Sequence, residues 1–151
     1  MIRRVTAVPF LVCWWCAAQT AQDSGELARR LRLVEAERSQ GRLTAAESML
    51  ADVQAEIEKT ERPGLLLAAA LREHGLLRDD EDRSEEAIPF YERALAMVRG
   101  LPGAGPLTVG RLLANLASSH ADCGDFDGAF SLSAEAMALI LGSGVKTCRQ
   151  G

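Results

Sequence analysis

Aromatic residues are scarce in this 151-residue chain, which has four Phe, two Trp and one Tyr. Sheets draw their packing from aromatic and β-branched side chains, so a β-rich fold is disfavoured. Lysine is nearly absent, limited to Lys59 and Lys146, and the formal charge is −4. No basic stripe with interleaved aromatics is present, which argues against nucleic acid as a partner. The sequence has no His-Glu-x-x-His helix, no Gly-x-Ser-x-Gly elbow and no glycine-rich phosphate loop. Catalytic activity, a cofactor and a metal site are therefore not expected. Asp79-Asp80-Glu81-Asp82 lacks the alternating acids and central glycine of a calcium loop and reads as a solvated turn. His74 and His120 fall on the apolar faces of helices and read as packed.

The one long uncharged apolar run lies at the start. Met1-Ile2-Arg3-Arg4 is a positive head, Val5 to Ala18 is largely apolar, and small residues precede Gln19. This is the layout of a secretory signal peptide, with cleavage expected after Ala18 or Ala21. The run is about 14 residues, short of the roughly 20 of a membrane-spanning helix, although an uncleaved anchor is the alternative. The organisation expected is a signal over 1–21, a helical domain over 22–141 and a flexible tail over 142–151, with a periplasmic or secreted location and no membrane span in the mature chain. Cys13-Trp14-Trp15-Cys16 has a redox spacing but lies inside the apolar run, without the strand and helix N-terminus that redox chemistry needs. Cys123 and Cys148 are open to two readings: a disulfide permitted by an oxidising compartment, or a packed Cys123 beside a loose Cys148. Scarce lysine among abundant arginine and alanine is the usage of a GC-rich bacterial genome.

What the chain has in abundance is Ala and Leu, and they repeat. Aligned on Val34, Gly75 and Ala117, the chain places Ala46, Ala87 and Ala129 twelve residues later. Leu50, Tyr91 and Ser133 follow four residues on, then Val53, Ala94 and Ala136 three beyond. The offsets between units are 41 and 42 residues with no gap, the signature of a stacked helical array. Leu43, Ala46, Leu50, Val53 and Ile57 recur at three- and four-residue steps, one stripe of an amphipathic helix. Breakers at Arg62-Pro63-Gly64 and across Leu101 to Pro106 separate the units. Gly41 and Gly124 sit in the turns within units. Asp82 takes that place in the middle unit, where a different turn is expected. Helices are predicted near 24–39, 43–60, 64–78, 84–99, 106–122 and 126–141, with Thr44 and Glu47 forming a capping box.

On these residues the chain resembles the tetratricopeptide repeat family. Gly75, Ala87, Tyr91 and Ala94 match its pattern best, within Glu86-Ala87-Ile88-Pro89-Phe90-Tyr91-Glu92-Arg93-Ala94-Leu95. Leu113, Leu116, Ala117, Gly124, Phe126, Ala129 and Ala136 carry the third unit. The period near 42 is similar to the longer-helix variety of kinesin light chains, echoed by Asn115-Leu116-Ala117. The resemblance implies an all-α solenoid of about three helix-turn-helix hairpins whose first helices form a concave face. It implies that Leu31, Glu35, Arg38, Arg72, Leu76, Arg111, Asn115 and Ser118 line that face. Asn115, the only asparagine, would hydrogen-bond a bound peptide's backbone. The family's usual first-helix aromatic is replaced by Glu37, Arg78 and His120, which predicts looser packing. The function expected is an exported protein-interaction module that binds a peptide or partner helix. The alternative is a self-assembling subunit, or a piece of a longer scaffold, joining copies through an uncapped third hairpin.

Overall fold

The computed structural model describes residues 9–60 and 64–147, with side chains over 23–60 and 64–142. It holds six helices: α1 (Pro9–Ser39), α2 (Leu43–Glu58), α3 (Gly64–Asp80), α4 (Ser84–Arg99), α5 (Pro106–Asp122) and α6 (Phe126–Thr147). No strand occurs among the described residues. The chain is an all-α helical-repeat solenoid, with α1 packed on α2, α3 on α4 and α5 on α6.

The turns within the three hairpins are built alike. Gly41, Asp82 and Gly124 all adopt a left-handed backbone, with φ of 74°, 58° and 83°. The residue after each donates its N–H to a carbonyl five residues back: Arg42 to Glu37 (3.0 Å), Arg83 to Arg78 (2.8 Å) and Asp125 to His120 (2.8 Å). This closes the end of the first helix by satisfying carbonyls that have no partner inside it. The middle turn therefore does not differ from its neighbours. Aspartate's short polar side chain accepts the left-handed region more readily than most residues do.

Two helix ends and one cap differ from expectation. Helix α1 begins at Pro9, so it runs as one element through the expected cleavage point. Helix α6 continues to Thr147, past Gly142-Ser143-Gly144. A helical glycine costs only about 1 kcal/mol relative to alanine, and no proline is present there to remove a backbone donor. Helix α2 begins at Leu43 with Arg42 as its uncapped N-cap, so the Thr44–Glu47 capping box does not form. Glu47 is drawn instead to Arg78 on α3.

The repeated small residues lie at the helix crossings. Ala46, Ala87 and Ala129 are buried, as are Val53, Ala94 and Ala136. Gly75 has its closest neighbour in Tyr91, whose ring atoms lie 2.5–2.9 Å from where a Cβ on Gly75 would stand. The missing side chain is the space the ring occupies.

The first helices of successive hairpins touch, α1 with α3 and α3 with α5, whereas α2 and α4, and α4 and α6, do not. The array therefore curves with its first helices on the inside.

Candidate functional site

The inner face is held together by charge before it can offer any to a partner. Arg38 on α1 reaches Asp80 on α3 at 2.7 Å and Glu73 at 3.4 Å, and Arg72 closes on the other oxygen of Glu73. Glu73 is buried. Burial pushes its carboxyl above the usual range, and this outweighs the opposite pull of Arg72 and Arg38. On the next joint Asp79 accepts hydrogen bonds from the Tyr91 hydroxyl (2.7 Å) and from Ser119 on α5 (3.0 Å). Burial and that hydrogen bond raise the Tyr91 phenol, which stays neutral. The acidic run at 79–82 is thus an interlock between hairpins as well as a turn.

Glu37, Arg78 and His120, the positions without aromatics, form a second set of polar joints. Arg42 pairs with Glu37, Arg78 bridges Glu47 and Glu81, and His120 Nδ1 meets Asp125 Oδ2 at 2.8 Å. His120 is thus a polar clip at the turn, and not a residue packed in an apolar face. Asp125 also accepts the Gly128 N–H at 3.0 Å and so caps α6. These two contacts, the Gly128 N–H first, hold its carboxyl below the usual range.

His74 does pack, stacked on Phe90 with ring centroids 5.2 Å apart. Burial, and then the nearby Arg78 cation, depress its pKa below the ordinary 6.5, with Glu47 pulling weakly the other way. The unfolded chain therefore takes up a proton on this residue before the fold does. His74 contributes stability that is complete above 6.5 and is lost as pH falls through the lower folded value. Thermal melts of His74→Phe should lose part of the wild-type chain's destabilisation between about pH 7 and pH 5. An unchanged pH slope would show that His74 is not the group responsible.

The eight residues expected on the inner face separate into groups. Leu31 is buried in the core, because it continues the stripe of Leu27 and Val34 at four- and three-residue steps. Arg38 and Arg72 are committed to Glu73, and Leu76 is half-buried. Glu35, Arg111 and Ser118 line the accessible side. Arg72 and Arg111 meet at a hollow of about 220 Å³ between α3 and α5, floored by Ala68, Ala69 and Leu112 with Thr108 at its edge. One turn along α5 from Arg111, the Asn115 amide nitrogen is shielded from solvent and makes no hydrogen bond. Ser118 faces a different depression, between α5 and α6. Sequence reasoning misses the pairing of Glu73 with Arg38 and Arg72, and that of Asp79 with Tyr91 and Ser119. Their only signal in the chain is a set of polar residues spaced within an apolar pattern, which is too common to single out.

Cys123 is exposed at the end of α5, and Cys148 lies outside the described residues. No group of His, Cys, Asp and Glu able to hold a metal occurs among the described residues. No helix among the described residues is long and apolar enough to cross a membrane. No protein-family model matches the chain, and no curated protein matches it.

Proposed function

We propose that this chain is an exported interaction module of the tetratricopeptide type, which holds an extended peptide or partner helix along its first helices. The observation that carries the reading is the hollow between α3 and α5, where Arg111, and Arg72 held by Glu73, border an apolar floor. Arg111 makes no ion pair among the described residues, so its charge remains for a ligand. The Asn115 amide nitrogen, shielded from solvent, lies outside the lining of this hollow, so the hollow rests on Arg111, Arg72 and the apolar floor. An acidic or carboxylate-bearing peptide with one apolar side chain fits this combination best.

Export is supported by the positive head and apolar run of the first 18 residues and by the small residues that follow. The buried residues of the described core begin at Leu27, beyond the segment that would be removed. Loss of Arg3 and Arg4 takes the net charge from −4 to about −6. The mature protein would act in the periplasm or outside the cell.

A photo-crosslinking residue placed at Arg111 or Leu76, on the inside, tests the reading against one at Asp52 or Arg93, on the second helices. Adducts to partner peptides are expected at the inner positions and should fall at Leu76 when Arg72→Glu is introduced. Equal capture at inner and outer positions would remove the concave face as the binding surface.

A further inference from the structure

Among the described residues, Glu73 is the one buried charged side chain, 3% exposed. A carboxylate taken out of water needs donors in its place. Two arginines supply them from different directions. Arg38 of α1 approaches Oε2 at 3.4 Å, and Arg72 approaches Oε1 at 2.5 Å. The two contacts differ in what else holds each arginine. Arg38 is also bonded to Asp80 at 2.7 Å, so it is anchored without Glu73. Arg72 bonds only Glu73 among the described residues.

Helix geometry does not supply the Arg72 contact by itself. Adjacent residues on a helix point about 100° apart and do not face one another. Arg72 borders the hollow on the α5 side, together with Arg111, while Glu73 meets α1 through Arg38. Its guanidinium therefore bends across α3 to reach the carboxylate. One cation is shared between an internal anion and the hollow.

We propose that Glu73 competes with the ligand's anionic group for Arg72, so that filling the hollow releases Glu73 to take a proton from solvent. The proposal rests on the α3–α5 hollow being where the ligand binds. An anion drawn to Arg111 and Arg72 weakens the hold of Arg72 on Glu73. The buried carboxylate is then left chiefly to Arg38, at the longer distance. Burial already lifts Glu73 above the ordinary 4.5 against the pull of Arg72 and Arg38, and Glu35 on α1 pushes in the same direction as burial. Losing part of the Arg72 pull raises it further. The complex thus holds more protons than the free chain. Affinity for an anion rises as pH falls through the Glu73 value in the complex, and levels off below its value in the free chain. The remaining groups on the packed elements are accounted for. From α4 comes Tyr91, a neutral phenol bonded to Asp79, and from α5 comes Arg111, whose charge is permanent. Glu47, the α2 acid that reaches α3, pairs with Arg78. His74, beside Glu73 on α3, is stacked on Phe90 and is common to every variant below.

Naphthalene sulfonate is the probe, because its charge does not titrate in this range and its rings suit the floor of Ala68, Ala69 and Leu112. Titration calorimetry of the full chain, repeated in buffers of different ionisation heat, counts the protons taken up on binding. The unaltered chain should take up part of a proton and bind more tightly at about pH 5 than at about pH 7. Glu73→Gln should bind about tenfold more tightly at neutral pH, the equivalent of one pKa unit, and lose the uptake. Asp80 still holds Arg38 in that variant, and circular dichroism checks that its helices persist. Uptake by the unaltered chain, together with its loss in Arg72→Gln, gives the same answer without Glu73→Gln having to fold. Weaker binding by folded Glu73→Gln, or an unaltered chain that takes up no proton, would overturn the proposal and leave the hollow standing. Absent binding, or binding unchanged in Arg111→Gln, would remove the hollow as the site and the proposal with it.

Discussion

Gly75→Val should lower the stability of the chain by about 3 kcal/mol, the upper part of the range for overpacking a filled core. The site has no slack. Tyr91 is fully buried, its ring occupies the volume a side chain would need, and its hydroxyl is tethered to Asp79. Replacing helical glycine removes backbone freedom from the unfolded chain, which favours the fold by less than about 1 kcal/mol for a β-branched residue. The clash therefore wins. Chemical denaturation monitored by circular dichroism reads the loss directly. In a double-mutant cycle, Gly75→Val combined with Tyr91→Ala should be less destabilised than the sum of the two single changes, because the small residue removes the collision. Strict additivity would mean that the ring does not sit over Gly75.

Asp79→Ala is the second large effect, expected at about 2–5 kcal/mol. Its carboxylate accepts from both Tyr91 and Ser119, and hydrogen bonds to a charged acceptor contribute about 1.5–3 kcal/mol each; removal strands the Tyr91 hydroxyl, while Ser119 falls back on the Asn115 carbonyl at 3.3 Å. Ser119 is on α5 and Tyr91 on α4, so the change loosens the third hairpin from the second as well as the second from itself. Deleting the whole polar set tells the two contributions apart. Asp79→Leu with Tyr91→Phe and Ser119→Ala leaves nothing unsatisfied and should recover much of the lost stability. A triple variant as unstable as Asp79→Ala would show that the carboxylate stabilises by more than satisfying its partners. Hydrogen exchange should show α5 and α6 opening first in Asp79→Ala.

Much of this architecture is legible in the residues because stacked hairpins repeat their constraints. Proline and glycine at 63–64 and 102–106 mark the unit boundaries, and Ala46, Ala87 and Ala129 mark the crossings where bulk is not tolerated. The turns repeat because each needs one left-handed residue, and an aspartate serves as well as a glycine at the middle one. What periodicity does not reveal is which polar groups meet across hairpins. Arg38 looks like a solvent-facing residue until α3 brings Glu73 and Asp80 against it, 35 and 42 residues away in the chain. The same holds for Asp79, whose position in an acidic run suggests solvent and whose partners are reached only through tertiary packing. Family register puts Leu31 on the inner surface, but its own apolar stripe turns it into the core. Helix α6 outruns the boundary its glycines suggest, because glycines weaken a helix without stopping it.

The candidate site is correspondingly half legible. Arg72 and Arg111 stand out separately in the sequence and prove to share one hollow, while Ser118 belongs to the depression between α5 and α6. Both assignments follow from three hairpins nested in one register with the first helices innermost. Paired spin labels at equivalent repeat positions measure that arrangement most directly, in a chain whose native cysteines are changed to serine. Labels at Glu35 and Leu76 report on neighbouring first helices, and labels at Asp52 and Arg93 on the corresponding second helices. Nested, inward-curving hairpins require the first distance to be clearly the shorter. Equal distances, or a shorter separation between Asp52 and Arg93, would contradict the curvature and remove the concave face with it.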